Sequence, residues 1–316
     1  MPKRRIAIID LGTNTFHLLI SELTDGERPK TLLKLKTPVK LGRGGISRSF
    51  IAPDAYERAL ITLAFFRDEM DKLQTTEVKA LATSAIRNAK NGAELVRDIY
   101  KKTGFKIEII SGDREAELIY YGVKCAMDLG LEKSLIMDIG GGSVEFIICN
   151  KESIFWKQSF EIGAQRLLDK FYRHDPIAPE DIKRLQHFLE QQLQPLAAAV
   201  AEHKPRILIG SSGTFDTLCD IEAFKNGLNR PEEPQPESEL SLEAYYKMHH
   251  DILVKNHAQR MAIPGMIELR ADMIILALIL IEYVLQAYDI ERIRVSAYAL
   301  KEGILYQMLE TTPDHS

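Results

Sequence analysis

Ile6-Ala-Ile-Ile-Asp10-Leu-Gly-Thr-Asn-Thr15-Phe-His-Leu-Leu-Ile20 runs from an apolar stretch through an Asp and a turn of small residues into a second apolar stretch. Leu135-Ile-Met-Asp138-Ile-Gly-Gly-Gly-Ser143-Val-Glu145-Phe-Ile-Ile148 repeats that plan about one domain later. In each, a strand-like run ends at the Asp, small residues form a tight turn, and a second run returns, which is the pattern of a β-hairpin. Two such hairpins predict a duplicated architecture with the two turns facing each other.

Working outward, residues 54–73 and Gly92–Lys102 carry helical spacing, and Val78–Ala82 and Lys106–Ile110 read as strands. Asp113–Leu129 reads as a helix opening on Asp113 and Glu115, where acidic groups complement the backbone dipole. Beyond the second hairpin, Pro179–Val200 reads as one long helix with Pro179 near its first position. The strand Arg206–Ile209 precedes a helix Phe215–Ile221, and Asn226–Ser241, with Pro231, Pro234 and Pro236, reads as a mobile loop. Strands alternating with helices predict α/β layers.

The 316 residues suit two domains. Hydrophobic content of 45% and charged content of 27% are those of a folded globular chain. A net charge of −4 argues against nucleic acid as a partner, but the first 110 residues are basic and the remainder acidic, which favours a local anionic ligand. Cys125, Cys149 and Cys219 have neither disulfide-framework nor metal spacing and point to the reducing cytoplasm. The N-terminus Met1–Arg5 leads straight into a strand and shows no secretory leader. Met273–Ile281, bounded by Asp272 and Glu282, falls short of the roughly 18–20 residues of a membrane span and reads as a buried helix, so no membrane association is expected.

A turn of small residues aims several backbone N–H groups at one point, and nearby hydroxyls add donors, which suits phosphate oxygens. Gly12, Thr13, Asn14 and Thr15 form one candidate, and Gly140, Gly141, Gly142 and Ser143 a second. Gly210, Ser211, Ser212, Gly213 and Thr214 form a third, at the start of a helix whose N-terminus would face the anion. Walker A, HExxH and strand-linked GxGxxG patterns are missing, which excludes P-loop and Rossmann readings.

Asp10-Leu-Gly-Thr-Asn-Thr15, Ala82-Thr-Ser-Ala-Ile-Arg87, Ile110-Ser-Gly-Asp-Arg-Glu-Ala116 and Asp138-Ile-Gly-Gly-Gly-Ser-Val-Glu145 together resemble the Ppx/GppA phosphatases, the exopolyphosphatases and guanosine pentaphosphate phosphohydrolases. Gly210–Thr214, Glu268-Leu-Arg270-Ala-Asp272 and Ser296–Gly303 carry the resemblance toward the C-terminus. It implies an actin-like, RNase H-type fold of two hinged α/β domains with an active-site cleft between them. Domain I is expected over 1–122, with a C-terminal helix at about 301–316 returning to it, and domain II over 123–300. The chain departs from the family pattern at Arg114 within the acidic cluster, at Arg43 in Leu41–Gly45 and at Lys301. Longer relatives carry a further C-terminal helical domain of the HD type. The sequence ends at Ser316, so a short two-domain form with weak processivity is expected.

Hydrolysing a phosphoanhydride needs charge neutralisation, an oriented water and a metal. Glu115, matching the family's catalytic glutamate, is the candidate that positions and deprotonates water, Arg87 would grip the transferred phosphate, and Glu145 completes the catalytic set. Asp138 and Glu145 are candidate Mg²⁺ ligands because hard carboxylate oxygens suit that ion, with Asp10 orienting a metal-bound water. Mn²⁺ is the alternative ion, and a monovalent cation is admissible. The leading expectation is an exopolyphosphatase acting on inorganic polyphosphate, with guanosine pentaphosphate as the alternative substrate and a non-catalytic alarmone or nucleotide binder as a reading of another class. A homodimer is compatible with the sequence. Trp156, His249-His250 and the Tyr and Met side chains of 298–308 read as packing or helix surface.

Overall fold

The computed structural model describes residues 4–24, 29–228 and 235–310. The chain divides into two compact units, one comprising Met1–Glu115 with a C-terminal piece beginning at Gln307, the other Ala116–Tyr306. The division falls inside the helix Gly112–Ala126, in which the expected boundary at 122 also lies. Residues 311–316 of the expected C-terminal helix lie outside the described residues; its described part is Leu300–Glu310.

In the first unit, β1 (Arg4–Leu11), β2 (Thr15–Leu23), β3 (Lys30–Pro38), β4 (Glu77–Ala82) and β5 (Ile107–Ile109) form one sheet in the order β3-β2-β1-β4-β5. β1, β2 and β3 are antiparallel neighbours, and β4 and β5 run parallel to β1. The middle of β1 is apolar and buried at every position, as expected of a strand covered on both faces. The helix Pro53–Lys72 starts on a Pro and presents Ala55, Ala59, Leu63, Phe66 and Met70 to the core at helical spacing. The helix Gly92–Thr103 adds Leu95 and Ile99 and stops at Gly104, which takes the left-handed conformation at φ 74°.

The second unit repeats this plan. β6 (Ser134–Ile139), β7 (Val144–Cys149), β8 (Ile154–Phe160), β9 (Ile207–Ser211), β10 (Glu237–Leu240) and β11 (Arg292–Ser296) form a sheet ordered β10-β11-β9-β6-β7-β8. β6, β7, β8, β9 and β11 stand in the relation of β1, β2, β3, β4 and β5, antiparallel on one side of the hairpin and parallel on the other. The apolar run Met273–Ile281 is buried throughout within this core, as part of the helix Met273–Ala287. Among the described residues no helix is long and apolar enough to cross a membrane.

Three expectations need correction. Pro179–Val200 is not one helix but two, Pro179–Gln192 and Gln194–His203, because Pro195 lacks an amide donor and its ring clashes with a continuing helix. Within the expected loop Asn226–Ser241, residues 229–234 lie outside the described residues, but Glu237–Leu240 is the edge strand β10. Its polar character belongs to the edge: Arg292 donates to Glu239 at 2.8 Å and Arg294 to Glu237 at 2.7 Å across the β10–β11 pair. His249 is not on a bare helix surface. It turns inward with Nε2 3.4 Å from Glu282, and burial pushes the imidazole down to about 4 and the Glu282 carboxyl up.

The helices Gly112–Ala126 and Leu300–Glu310 approach through glycines. A Cβ on Gly303 would lie 1.8 Å from the Leu118 carbonyl oxygen, and one on Gly122 would lie 1.9 Å from that of Ala299. Ala ordinarily stabilises a helix interior by about 1 kcal/mol over Gly. Here overpacking prevails, so Gly303→Ala should destabilise by about 1–3 kcal/mol and lower the thermal midpoint by several degrees, measured by calorimetry.

Candidate phosphate-binding and metal-binding site

The second hairpin turn is held from behind. The carbonyls of Gly140, Gly141 and Gly142 accept from the amides of Ala164, Gln165 and Gly163 at 2.9, 2.9 and 3.2 Å. Arg166 Nε also donates to the Gly142 carbonyl at 2.8 Å. In a trans peptide the N–H points opposite to the carbonyl that precedes it. Fixing those three carbonyls toward the helix Ala164–Phe171 therefore directs the N–H groups of Gly141, Gly142 and Ser143 the other way, as an anion-binding nest. The Gly140 amide closes the turn on the Ser143 carbonyl at 3.0 Å. Gly163 is required at this approach, since a Cβ there would sit 2.5 Å from the Gly141 and Gly142 carbonyl carbons.

The first turn is built alike. Gly12 N–H donates to the Thr15 carbonyl at 3.2 Å, while the Thr13 and Asn14 carbonyls accept from Gly42 and Lys40 at 2.9 and 2.8 Å. The N–H groups of Asn14 and Thr15 are thereby turned away from the 40–42 loop. Asp10, one residue from the end of β1, lies opposite His17 of β2, just as Asp138 of β6 lies opposite Glu145 of β7.

Cross-strand partners share a sheet face with Cβ atoms about 5 Å apart, so the Asp138 and Glu145 carboxylates are neighbours. Both are buried. Ser211 donates to Asp138 Oδ2 at 2.6 Å and Ser212 to Oδ1 at 2.8 Å, while Ser159 donates to Glu145 at 2.7 Å. Burial pushes the Asp138 carboxyl up, against the pull of the two serine hydroxyls. A cation at this place would offset that burial. Two hard carboxylates, with water and phosphate oxygens completing the shell, fit Mg²⁺, which keeps several waters and needs one or two protein carboxylates. Among the described residues no cluster of three or more His, Cys, Asp or Glu side chains is assembled for a metal.

The third loop ends β9 with Gly210 and Ser211, passes Ser212 at φ 71°, and opens the helix Gly213–Lys225 with Gly213 and Thr214. Here the structure shows a residue to which the sequence assigned no role. Arg270 is buried, and its Nε and Nη1 have no hydrogen-bond partner; the Thr214 hydroxyl is buried without one too. A Cβ on Gly213 would lie 2.3 Å from Arg270 Nη2, so the guanidinium rests against the helix start. Burial pushes its pKa down, against the charges of Asp216 and Asp138. A buried guanidinium with open donors beside a helix N-terminus is set up for an anion. Arg260 steadies the adjoining backbone: fully buried, it donates to the Ala271 carbonyl at 2.6 Å, Asp272 at 2.8 Å, Asp175 at 2.9 Å and the Tyr172 hydroxyl at 2.9 Å.

In the first unit the candidate catalytic pair meets. Arg87 Nη1 donates to Glu115 Oε2 at 2.9 Å and to the Ile110 carbonyl at 3.1 Å. Arg87 sits at the end of a short helix after β4, and Glu115, buried, in the first turn of Gly112–Ala126.

The sequence model described as the Ppx/GppA phosphatase family matches residues 19–312. The chain belongs to that family. Its fold is also that of an exopolyphosphatase from Cytophaga hutchinsonii, 45% identical, with a TM-score of 0.94 over 99% of this chain and all of that one. A Ppx/GppA family member from Aquifex aeolicus is 25% identical with a TM-score of 0.81, over the whole of both chains. A guanosine-5'-triphosphate,3'-diphosphate pyrophosphatase of Vibrio cholerae is 26% identical over 96% of this chain, which spans 59% of that longer protein.

Gly213→Ala tests the placement of Arg270. The added methyl must displace the guanidinium, so phosphate release by the family activity should fall at least about tenfold, as for a mispositioned charge-stabilising donor. Calorimetry should show a midpoint near that of the wild type.

Proposed function

We propose that this chain is an exopolyphosphatase: water attacks the terminal phosphorus of inorganic polyphosphate, the bridging P–O bond breaks, and orthophosphate leaves with a chain one unit shorter. The observation that carries phosphoanhydride hydrolysis is the Gly140–Ser143 nest, its carbonyls tied back at 2.9–3.2 Å, beside the buried Asp138–Glu145 pair. The choice of polyphosphate is supported by the 45% identity to the Cytophaga hutchinsonii exopolyphosphatase. The Vibrio cholerae relative supports guanosine pentaphosphate as the second reading.

In this proposal the second unit contributes phosphate and metal binding. The turn N–H groups, the start of the helix Gly213–Lys225 and Arg270 hold phosphate oxygens, and Asp138 and Glu145 would hold Mg²⁺. Bound metal supplies neutralisation of charge on phosphate oxygens. In the first unit, taken by itself, Glu115 is the proposed base that takes a proton from water, and Asp10 is the group proposed to orient water. Arg87, which donates to Glu115 at 2.9 Å, is the proposed donor to a phosphate oxygen within that unit. The Asn14 and Thr15 N–H groups add donors. None of the three cysteines forms a disulfide, which fits a reducing compartment, and we place the enzyme in the cytoplasm.

Phosphate release from polyphosphate, guanosine pentaphosphate and ATP, measured side by side on purified protein, tests the assignment; polyphosphate should be turned over fastest. Preference for guanosine pentaphosphate would replace the first reading by the second. Glu115→Gln should lower turnover about 10²–10⁴-fold with little change in substrate binding. Chelation should abolish phosphate release and Mg²⁺ should restore it, whereas full activity of metal-free protein would remove Asp138 and Glu145 from that role.

A further inference from the structure

From Pro29 to Pro53 the chain contains no Asp or Glu and six Lys or Arg residues, at 30, 34, 36, 40, 43 and 48. The structure lays this segment against the first phosphate turn. Lys34 and Lys36 are exposed on β3 at alternate positions, hence on one sheet face. Lys36 lies opposite His17 and Lys34 opposite Leu19, so that face also carries His17 of β2 and Asp10 of β1 in one row. His17 Nε2 is 3.1 Å from the Thr15 hydroxyl at the end of the turn. From Thr15 to Ile20 the β2 residues that pair with β3 include no acid. Past the strand, the 40–42 loop is bonded to the turn itself, through Lys40 N–H to the Asn14 carbonyl and Gly42 N–H to the Thr13 carbonyl. Arg43 and Arg48, both exposed, follow directly, with Arg48 donating to the Gly44 carbonyl at 2.6 Å.

We infer that β3 and the loop after it form a track for the distal phosphates of a long polyphosphate chain, entered at Lys34 and Lys36 and leading by way of His17 and Arg43 to the Gly12–Thr15 turn. The inference rests on the polyphosphate reading above and concerns units of the chain beyond the reacting one. Edge lysines alone would be explained by protection against edge-to-edge pairing. That explanation stops at the end of the strand, whereas the cationic run continues around the loop bonded to the turn. A linear polyanion with a charge on every unit is the ligand such a run complements, and a nucleotide with a short phosphate tail would leave most of it unused.

The test is the triple variant Lys34→Gln/Lys36→Gln/Arg43→Gln, with Lys36→Gln and Arg43→Gln alone as controls on strand and loop. All three positions are exposed and outside the groups assigned to catalysis. Phosphate release is measured on long-chain polyphosphate and on tripolyphosphate at several salt concentrations. Three exposed contacts, each of surface ion-pair size, amount together to roughly tenfold in affinity. The expected result is a KM for long chains raised by about that factor, kcat unchanged, KM for tripolyphosphate unchanged, and a shallower salt dependence than the wild type. An unchanged long-chain KM overturns the track, and so does an equal rise for tripolyphosphate, which would place these residues at the terminal phosphate. If the wild type releases no phosphate from polyphosphate, the functional reading fails. The track is then judged by direct binding of long-chain polyphosphate, where equal affinity of wild type and triple variant overturns it.

Discussion

The direction of three peptide planes governs the chemistry of the second unit. A glycine-rich hairpin turn can orient its amides many ways, and only fixed carbonyls make its N–H groups converge. Here the first amides of the helix Ala164–Phe171, ordinarily open to solvent or ligand, are used to hold the carbonyls of Gly140, Gly141 and Gly142. The N–H groups left pointing outward therefore belong to the turn and not to that helix. Gly163 is what lets the two backbones meet so closely. The first unit ties back its turn carbonyls with a different support, a loop at 40–42 in place of a helix start, and in both an Asp one residue from the end of the leading strand stands beside the turn.

Around this frame the second unit keeps charges where a protein interior disfavours them. Asp138 is met by serine hydroxyls rather than by a cation at hydrogen-bond distance, and Arg270 keeps Nε and Nη1 without acceptors. The open donors of Arg270 are unfavourable for a folded chain by themselves, since a buried donor without a partner costs of the order of kcal/mol. The chemistry of both residues is the basis of the proposed site, in which the carboxylates would face a cation and the guanidinium an anion. Arg260 shows the contrasting solution. It is just as deeply buried, but carboxylates, a phenol and backbone carbonyls surround it, and its work is to hold the backbone next to Arg270.

Much of the fold was legible because its signals are local. The two acid-and-glycine hairpins, the strand at 78–82 and the helices at 54–73 and 92–102 depend on periodicity and turn chemistry within a few residues, and the structure has them within one to three positions. The misreadings are also physical. Pro195 stands inside an otherwise helical pattern, and the apolar spacing continues past the break it makes. β10 was hidden by its polarity, because Glu237 and Glu239 find their reason only in Arg292 and Arg294, more than fifty residues on in the chain. His249 looked solvated because its acidic neighbour, Glu282, comes from another helix.

For the site the division is sharper. By itself the sequence determined which chemical groups are present: two acid-ended hairpins, three small-residue loops, a Glu at a helix start and an Arg after a strand. It did so because backbone conformation at a tight turn and the hardness of a carboxylate are properties of single residues and their immediate neighbours. Only the tertiary structure decided that the turn amides converge, that Asp138 and Glu145 are cross-strand neighbours, that Arg87 touches Glu115, and that Arg270 is buried with open donors. Those facts depend on contacts between segments far apart in the chain, and on the exclusion of water that makes a charge reactive, neither of which a local pattern of residues contains.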